Sequence, residues 1–202
     1  EKKMKIDLLL LDAGKVLVNG DITEKIKQQL NLKYYIGYTL PERFTLPERF
    51  YSFWEEKIRE PLWSGKISIE KMWDMLAEEF YITERIYEFP IKELPWTKKV
   101  LNLPIQKAIL SNHRHEWLMP AIENFNWPND ISIYISSLIG LMKPEKEAYK
   151  LVINDLKIKP ENILFVDDKD ENIAAAGELG MYTIKADEKG YWTNYLMETI
   201  NG

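Results

Sequence analysis

Carboxylates follow two apolar runs of the sequence at the points where those runs stop. The run at residues 8–11 ends at Asp12, and the run at residues 163–166 ends at Asp167 and Asp168. Carboxylates act as nucleophiles in covalent catalysis and are ligands for hard cations such as Mg²⁺. The sequence therefore places candidate catalytic or metal-binding carboxylates at these two points.

Five short apolar runs predict β-strands, at residues 5–11, 106–110, 131–135, 162–166 and 181–184. Helical patterns lie between them, as at residues 145–156 and 170–179. Strands that alternate with helices predict an α/β fold with a parallel sheet. Such a sheet binds ligands beyond the carboxyl ends of its strands, which is where the polar residues accumulate.

The stretch from residue 18 to residue 95 has a different pattern. Residues 48–60 and 68–80 are amphipathic and rich in Trp, Phe, Leu and Glu, with Ser68 as the expected N-cap of the second helix. We expect a helical cap domain at 18–95, inserted into a core domain made of residues 1–17 and 96–202. Residues 39–44 are repeated as residues 45–50, which we interpret as a local duplication that lengthens a loop.

The composition excludes several classes of function. The chain has 202 residues, 46% of them hydrophobic, and a formal net charge of −5 without a basic block, which argues against a nucleic-acid partner. It has no cysteine, so disulfides and thiolate chemistry are excluded. The apolar runs are far shorter than the roughly 20 residues that span a bilayer, so we expect no membrane partner and a cytoplasmic location. The oligomeric state is unknown from the sequence.

Four segments resemble the four motifs of the haloacid dehalogenase-like hydrolase superfamily, in their order and at their usual spacing. They are residues 8–16, 109–112, 140–144 and 165–168, the last with Asn172 beyond it. The resemblance extends from about Lys5 to about Ile184. It implies a Rossmann-like parallel sheet with an inserted α-helical cap, and a subgroup of sugar-phosphate phosphatases with the motif Asp-x-Gly-Asn-Val is the most similar.

The resemblance implies a phosphatase that acts on a small phosphorylated metabolite through an aspartyl-phosphate intermediate. Asp12 would be the nucleophile, while Ser111, Asn112 and Lys143 would bind the phosphoryl group and balance its charge. The implied cofactor is Mg²⁺. Its ligands would be Asp12, Asp168 and the backbone carbonyl of Gly14, with Asp167 acting through water.

Each motif also has a simpler interpretation. Asp12 alone would suit a helix N-cap, and Asp167-Asp168 a polar turn. The joint presence of Ser111 and Lys143 at the family's spacing favours the catalytic interpretation. Three carboxylates that meet at one site would repel one another and a phosphate, which argues for an obligatory cation.

The sequence departs from the superfamily pattern two residues after the nucleophile. Most phosphatases of the superfamily have an Asp there that serves as general acid and base, whereas this chain has Gly14, followed by Lys15 where the family usually has Gly. The proton for the leaving group could come from His113, Lys15, a cap residue or water. His113 and His115, the only histidines, are expected to be a surface pair.

Two rival functions remain open from the sequence. In a 2-haloacid dehalogenase, Asp12 would attack carbon and no metal would be needed, but the pair Asp167-Asp168 would repel the substrate's carboxylate. The second rival is a non-catalytic protein that kept the fold after losing the general acid.

Overall fold

The computed structural model describes residues 5–20, 22–23, 25–26, 46–82 and 84–201. Its main sheet has five strands in the order β5-β4-β1-β6-β7, and every pairing is parallel. The strands are β1 Leu8–Leu11, β4 Gln106–Ser111, β5 Ser132–Ile135, β6 Ile163–Asp167 and β7 Tyr182–Lys185. All five strands expected from the sequence are present, and the α/β fold class is confirmed.

The central strand β1 explains how the sheet is held between two layers. All four of its leucines are fully buried; Leu9 and Leu11 belong to one apolar cluster, and Leu8 and Leu10 to a second. Successive side chains of a strand point to opposite faces, so an unbroken leucine run is what a strand covered on both faces requires.

Helices cover the sheet and also form the segment at residues 46–80. Their bounds are α1 Leu46–Phe53, α2 Arg59–Trp63, α3 Ile69–Phe80, α4 Thr97–Leu101, α5 His115–Phe125, α6 Ser136–Ile139, α7 Lys146–Leu156, α8 Asp170–Glu178 and α9 Trp192–Asn201. A 3₁₀ turn, Pro160–Asn162, leads into β6. Among the described residues, no helix is long and apolar enough to cross a membrane.

The first helix of the segment at residues 46–80 is longer and less regular than the sequence predicts. A π-helical turn, Trp54–Ile58, joins α1 to α2, and the N–H of Arg59 donates to the carbonyl of Trp54. Pro61 has no N–H to give to the helix, which explains why the regular ladder is disturbed near this point. Ser68 caps α3 as predicted, because its side chain accepts a hydrogen bond from the N–H of Lys71.

A two-stranded antiparallel sheet joins the chain on either side of this helical segment. It pairs β2 Val18–Asn19 with β3 Lys92–Glu93. The indole N–H of Trp96 donates to the carbonyl of Val16 at 2.7 Å, close to the same point. Of the duplicated sequence, residues 39–45 lie outside the described residues, and residues 46–50 are part of α1.

Candidate functional site

The candidate residues are positioned by three neighbouring strands. Asp12 follows β1, Ser111 is the last residue of β4, and Asp167 is the last residue of β6. These strands are parallel and adjacent, so their carboxyl ends meet at one edge of the sheet. The sequence-predicted residues are therefore brought together, although Ser111 and Asp167 end strands instead of beginning loops.

Lys143 lies between two of the carboxylates. Its Nζ atom is 2.9 Å from Oδ1 of Asp12 and 2.6 Å from Oδ2 of Asp167, and the residue is 3% exposed. Burial alone would lower the pKa of this ammonium group, but Asp12 and Asp167 raise the pKa above its usual value. Lys143 therefore carries a fixed positive charge at the carboxyl edge of the sheet.

The Asp12 carboxylate is buried but not fully paired. Burial raises its pKa to about 6, although Lys143 opposes this change. Oδ1 accepts the N–H of Ala13 at 2.8 Å and faces Lys143, so this oxygen is anchored. Among the described residues, no hydrogen-bond partner holds Oδ2 in the same way.

Asp167 uses both of its oxygens within the protein. Oδ1 accepts the N–H of Lys169 at 2.9 Å, while Oδ2 accepts Lys143 and the side-chain amide of Asn172, the latter at 2.9 Å. Asp167 is fully buried. The Asn172 side chain thus helps to orient the Asp167 carboxylate.

A divalent cation fits the donor set at this edge. Asp12, Asp167 and Asp168 each offer a carboxylate oxygen, and these atoms lie within 4.8 Å of one another. Burial, and then the nearby Asp167, raise the pKa of Asp168, and the positive charges of Lys15 and Lys169 oppose this change only in part. Because Asp167 is saturated by its own hydrogen bonds, Asp12 and Asp168 are the better placed of the three to hold a cation directly.

Ser111 and Asn112 have different surroundings. Ser111 is 2% exposed and lines the same cavity as Asp12. The Asn112 amide donates to the carbonyl of Lys143 at 2.7 Å and accepts the N–H of Lys143 at 2.9 Å. The Asn112 side chain therefore fixes the backbone that carries Lys143.

The unusual pair Gly14-Lys15 combines two different backbone conformations. Gly14 has no positive φ, and a methyl group there would have no described atom within 4 Å, apart from its chain neighbours. Lys15 has φ of 59°, in the left-handed region that favours Gly and Asn, the residues of the two related motifs. The Nζ atom of Lys15 lies 4.0 Å from Asp168.

The expectation that His113 is a surface residue is wrong. His113 is partly buried in the cavity wall, with its ring centroid 5.5 Å from that of Trp63. Burial lowers the pKa of its imidazole. Its Nδ1 lies 3.0 Å from the carbonyl of Arg114, which can only accept, so Nδ1 is assigned the proton.

Arg114 is a residue that sequence reasoning missed. It is 5% exposed, and its Nη1 donates to the carbonyls of Leu62 and Ile67, at 3.0 Å in both cases. The rest of the guanidinium pairs with Glu116. Arg114 thus ties the loop after β4 to the turn between α2 and α3. A single Arg in a helix-start pattern gives no sequence signal for a contact some 50 residues away.

One cavity of about 370 Å³ connects these groups. Its floor, hereafter the carboxylate floor, consists of Asp12, Ser111, Lys143 and Asp168. A second group of lining residues comes from the helical segment and is called the helical wall; it consists of Tyr51, Glu55, Arg59 and Trp63, with Trp54 beside them. Trp54 is 2% exposed and belongs to the apolar core, whereas Trp63 is partly buried and packs against that core from the cavity side.

Curated relatives match parts of the chain. Mouse bifunctional epoxide hydrolase 2 is 26% identical over 153 residues, which are 62% of this chain and 27% of that protein. D-ribitol-5-phosphate phosphatase of Bacteroides thetaiotaomicron is 33% identical over 69 residues, 34% of each chain. The chain thus matches about a third or less of the length of these relatives.

Solved structures resemble the whole fold. A HAD family enzyme of Bacteroides thetaiotaomicron has a TM-score of 0.75 at 21% identity, with 95% of this chain and 98% of that chain covered. The same enzyme in complex with magnesium and inorganic phosphate has a TM-score of 0.70, covering 94% and 98%. L-2-haloacid dehalogenase of Xanthobacter autotrophicus has a TM-score of 0.56 at 17% identity, covering 89% and 77%.

The family model for haloacid dehalogenase-like hydrolases matches residues 6–180. This range contains four of the five strands of the main sheet, all except β7, and every residue of the carboxylate floor. The chain therefore belongs to the haloacid dehalogenase-like hydrolase family and is an enzyme of that class.

Proposed function

We propose that the chain is a Mg²⁺-dependent phosphatase that acts on a small phosphorylated metabolite through an aspartyl-phosphate on Asp12. The observation that carries the proposal is the carboxylate floor itself. There a buried carboxylate, a fixed lysine ammonium 2.9 Å away and a second carboxylate share one cavity. This set suits a phosphoryl group together with a divalent cation.

The reaction has two displacements at phosphorus. Oδ2 of Asp12 attacks the phosphorus while the bond to the leaving oxygen breaks, and that oxygen takes the electron pair and then a proton. Water next attacks the phosphorus of the aspartyl-phosphate, loses a proton and releases phosphate, which regenerates the Asp12 carboxylate. Lys143, the Ser111 hydroxyl and the Asn112 backbone N–H stabilise the negative charge of the phosphoryl oxygens.

The proposed metal ligands are Asp12, Asp168 and the carbonyl of Gly14, with Asp167 contributing through water. A bound Mg²⁺ would supply positive charge at the phosphoryl oxygens. Support comes from the hard oxygen donors within 4.8 Å of one another. It also comes from the HAD family enzyme of similar fold, which binds magnesium and inorganic phosphate.

The dehalogenase alternative is less well supported by the floor. A 2-haloacid carries its own carboxylate, which Asp167 and Asp168 would repel in the absence of a metal. The likeness to L-2-haloacid dehalogenase is at 17% identity and concerns the fold. Among curated relatives, the D-ribitol-5-phosphate phosphatase instead supports a phosphoester substrate.

We also propose that residues 18–95 form a cap and that residues 1–17 and 96–202 form the core. The pairing of Val18–Asn19 with Lys92–Glu93 supports this division, because it closes the two ends of the helical segment beside the floor. The cytoplasmic location expected from the sequence stays a prediction.

The test measures phosphate release from an aryl phosphate and from a panel of sugar and polyol phosphates. We expect turnover with Mg²⁺, none in excess chelator, and none for Asp12→Asn, since an amide oxygen is a poor nucleophile. The matched control is Asp170→Asn, a surface carboxylate paired with Lys185 at 2.7 Å, which should keep full turnover. Full activity in chelator would contradict the metal, and halide release from 2-chloropropionate would favour the dehalogenase.

A further inference from the structure

The helical wall repeats a cavity-lining residue at every fourth position. Tyr51, Glu55, Arg59 and Trp63 all line the cavity. In a regular α-helix each step of four residues drifts by about 40° around the axis, so Tyr51 and Trp63 would face directions about 120° apart. The π-helical turn Trp54–Ile58 lies between them and turns less per residue, which brings all four residues to one face.

The charged members of the wall form a weak pair. Nη1 of Arg59 lies 3.4 Å from Oε2 of Glu55, and their side chains are 35% and 57% exposed. Within the described part of the chain, this is the only ion pair of Arg59. Exposed pairs of this kind are easily broken, so both groups are free to bond to a ligand.

The helical wall carries no net charge, because the charges of Glu55 and Arg59 cancel. The positive groups Lys143 and Lys15 instead lie beside the carboxylates Asp12 and Asp168. A leaving group bound at the wall thus meets no net positive charge there. It meets one acceptor and one donor placed between two aromatic side chains, which suits hydroxyl groups on a carbon chain.

We propose that Glu55 and Arg59 determine specificity: the pair selects uncharged, hydroxyl-bearing leaving groups, and Glu55 excludes leaving groups with a second negative charge. This proposal rests on the proposed phosphatase function. Without Glu55, Arg59 would stand unpaired at the wall and would attract a second anion.

The test compares two substrates of equal length, glycerol 3-phosphate and 3-phosphoglycerate, which differ by a hydroxymethyl group and a carboxylate. For Glu55→Gln we expect the ratio of kcat/KM for 3-phosphoglycerate to that for glycerol 3-phosphate to rise about fivefold, the upper range for an exposed charge pair. The variant Glu55→Gln with Arg59→Gln should lose this gain. The control is Glu56→Gln on the same turn, whose partner is Ser52 and which does not line the cavity.

The outcomes separate the two proposals. An unchanged ratio in Glu55→Gln, with both substrates hydrolysed by the unmodified protein, would overturn the role of Glu55 and leave the phosphatase intact. Equal gains in Glu55→Gln and Glu56→Gln would overturn it too. If no variant hydrolyses either compound, calorimetric binding of the two compounds to the same variants decides the preference of the wall. The phosphatase proposal fails only if the unmodified protein also releases no phosphate from the aryl phosphate and from the panel of sugar and polyol phosphates.

Discussion

The carboxylate floor and the helical wall face the same cavity but are built differently. On the floor, Lys143 is 3% exposed and Ser111 is 2% exposed, and the charged groups are held by hydrogen bonds to the ends of strands. On the wall, the Glu55 side chain is mostly exposed and its ion pair with Arg59 is 3.4 Å long. The floor is therefore preorganised, whereas the wall adapts to its ligand at little cost.

This difference assigns the two regions different parts of the reaction. A preorganised, buried set of charges acts on the phosphoryl group, which every substrate shares. An exposed set acts on the leaving group, which differs between substrates. Changes on the floor should thus lower the rate for all substrates, and changes on the wall should alter the ranking among them.

The largest expected effect is on the floor. Lys143→Met should slow turnover of every substrate by about 10²–10³, the usual cost of removing one stabilising charge or donor from an active site. It should also lower stability by about 3–5 kcal/mol, because Asp12 and Asp167 lose their buried counter-charge. Steady-state rates and urea unfolding measure the two effects.

A double variant checks the physical reason for this loss of stability. Adding Asp12→Asn to Lys143→Met should restore part of it, because one of the two uncompensated carboxylates is gone. A rate loss confined to a single substrate would break the comparison between floor and wall.

The second-largest expected effect concerns Gly14, which lines the cavity two residues after Asp12. Gly14→Asp should raise the rate for alkyl phosphates toward the lower end of the 10²–10⁴ range typical of general acid catalysis, and should raise that for aryl phosphates much less. The space around Gly14 is open and its φ lies outside the left-handed region, so the added side chain should cause little strain. Initial rates on one alkyl and one aryl ester give the ratio.

Gly14→Ala is the control, since it adds bulk without a proton. Equal alkyl-to-aryl ratios for the Asp and Ala variants would show that another group already supplies the proton, and Lys15→Ala would then be assayed next.

A smaller effect is expected where Arg114 holds the turn beside the wall. Arg114→Lys keeps the charge but loses the planar set of donors that reaches Leu62, Ile67 and Glu116 together. We expect KM for sugar phosphates to rise several-fold, with kcat for an aryl phosphate within about twofold, because the floor is untouched. The control is Arg85→Lys, a surface arginine paired with Glu70 and Asp74. Equal losses in kcat for both substrates would place Arg114 in the chemistry.

The smallest effect is the pH dependence contributed by His113. Burial depresses its pKa in the folded protein, so below about pH 6.5 the unfolded chain takes up a proton that the folded chain does not. The free energy of unfolding should therefore decrease as pH falls below that value, and the decrease should end below the folded pKa. His113→Gln should remove this contribution in urea unfolding at pH 7.5 and 5.5.

The difference between His113→Gln and the unmodified protein isolates one group, because Asp12 titrates in both. His115→Gln, whose side chain is 36% exposed, is the control. An identical pH dependence in His113→Gln would show that the ring is solvated.

The sequence predicted the sheet and the floor because both are encoded locally. An apolar run that stops at a polar residue specifies a buried strand and the group at its end, and this held for Asp12, Ser111 and Asp167. The roles of these residues remain predictions.

The wall could not be predicted in the same way. The tie at Arg114 depends on the carbonyls of Leu62 and Ile67, which lie about 50 residues away along the chain. His113 gave no local signal either, since its burial comes from Trp63 and Trp117. Contacts between elements far apart in the chain decide these features, and a pattern of neighbouring residues does not contain them.

The turn between α2 and α3 constrains how the helical segment can move. Arg114 holds its carbonyls, and at Gly65 a Cβ atom would lie 2.4 Å from the carbonyl oxygen of Ser137. The segment is therefore held at two separate places, at this turn and at the β2–β3 pairing that joins its ends to the rest of the chain. While both sets of contacts persist, the segment cannot move away from the carboxylate floor as one rigid body, and Trp63, next to the turn, is the member of the helical wall most closely held.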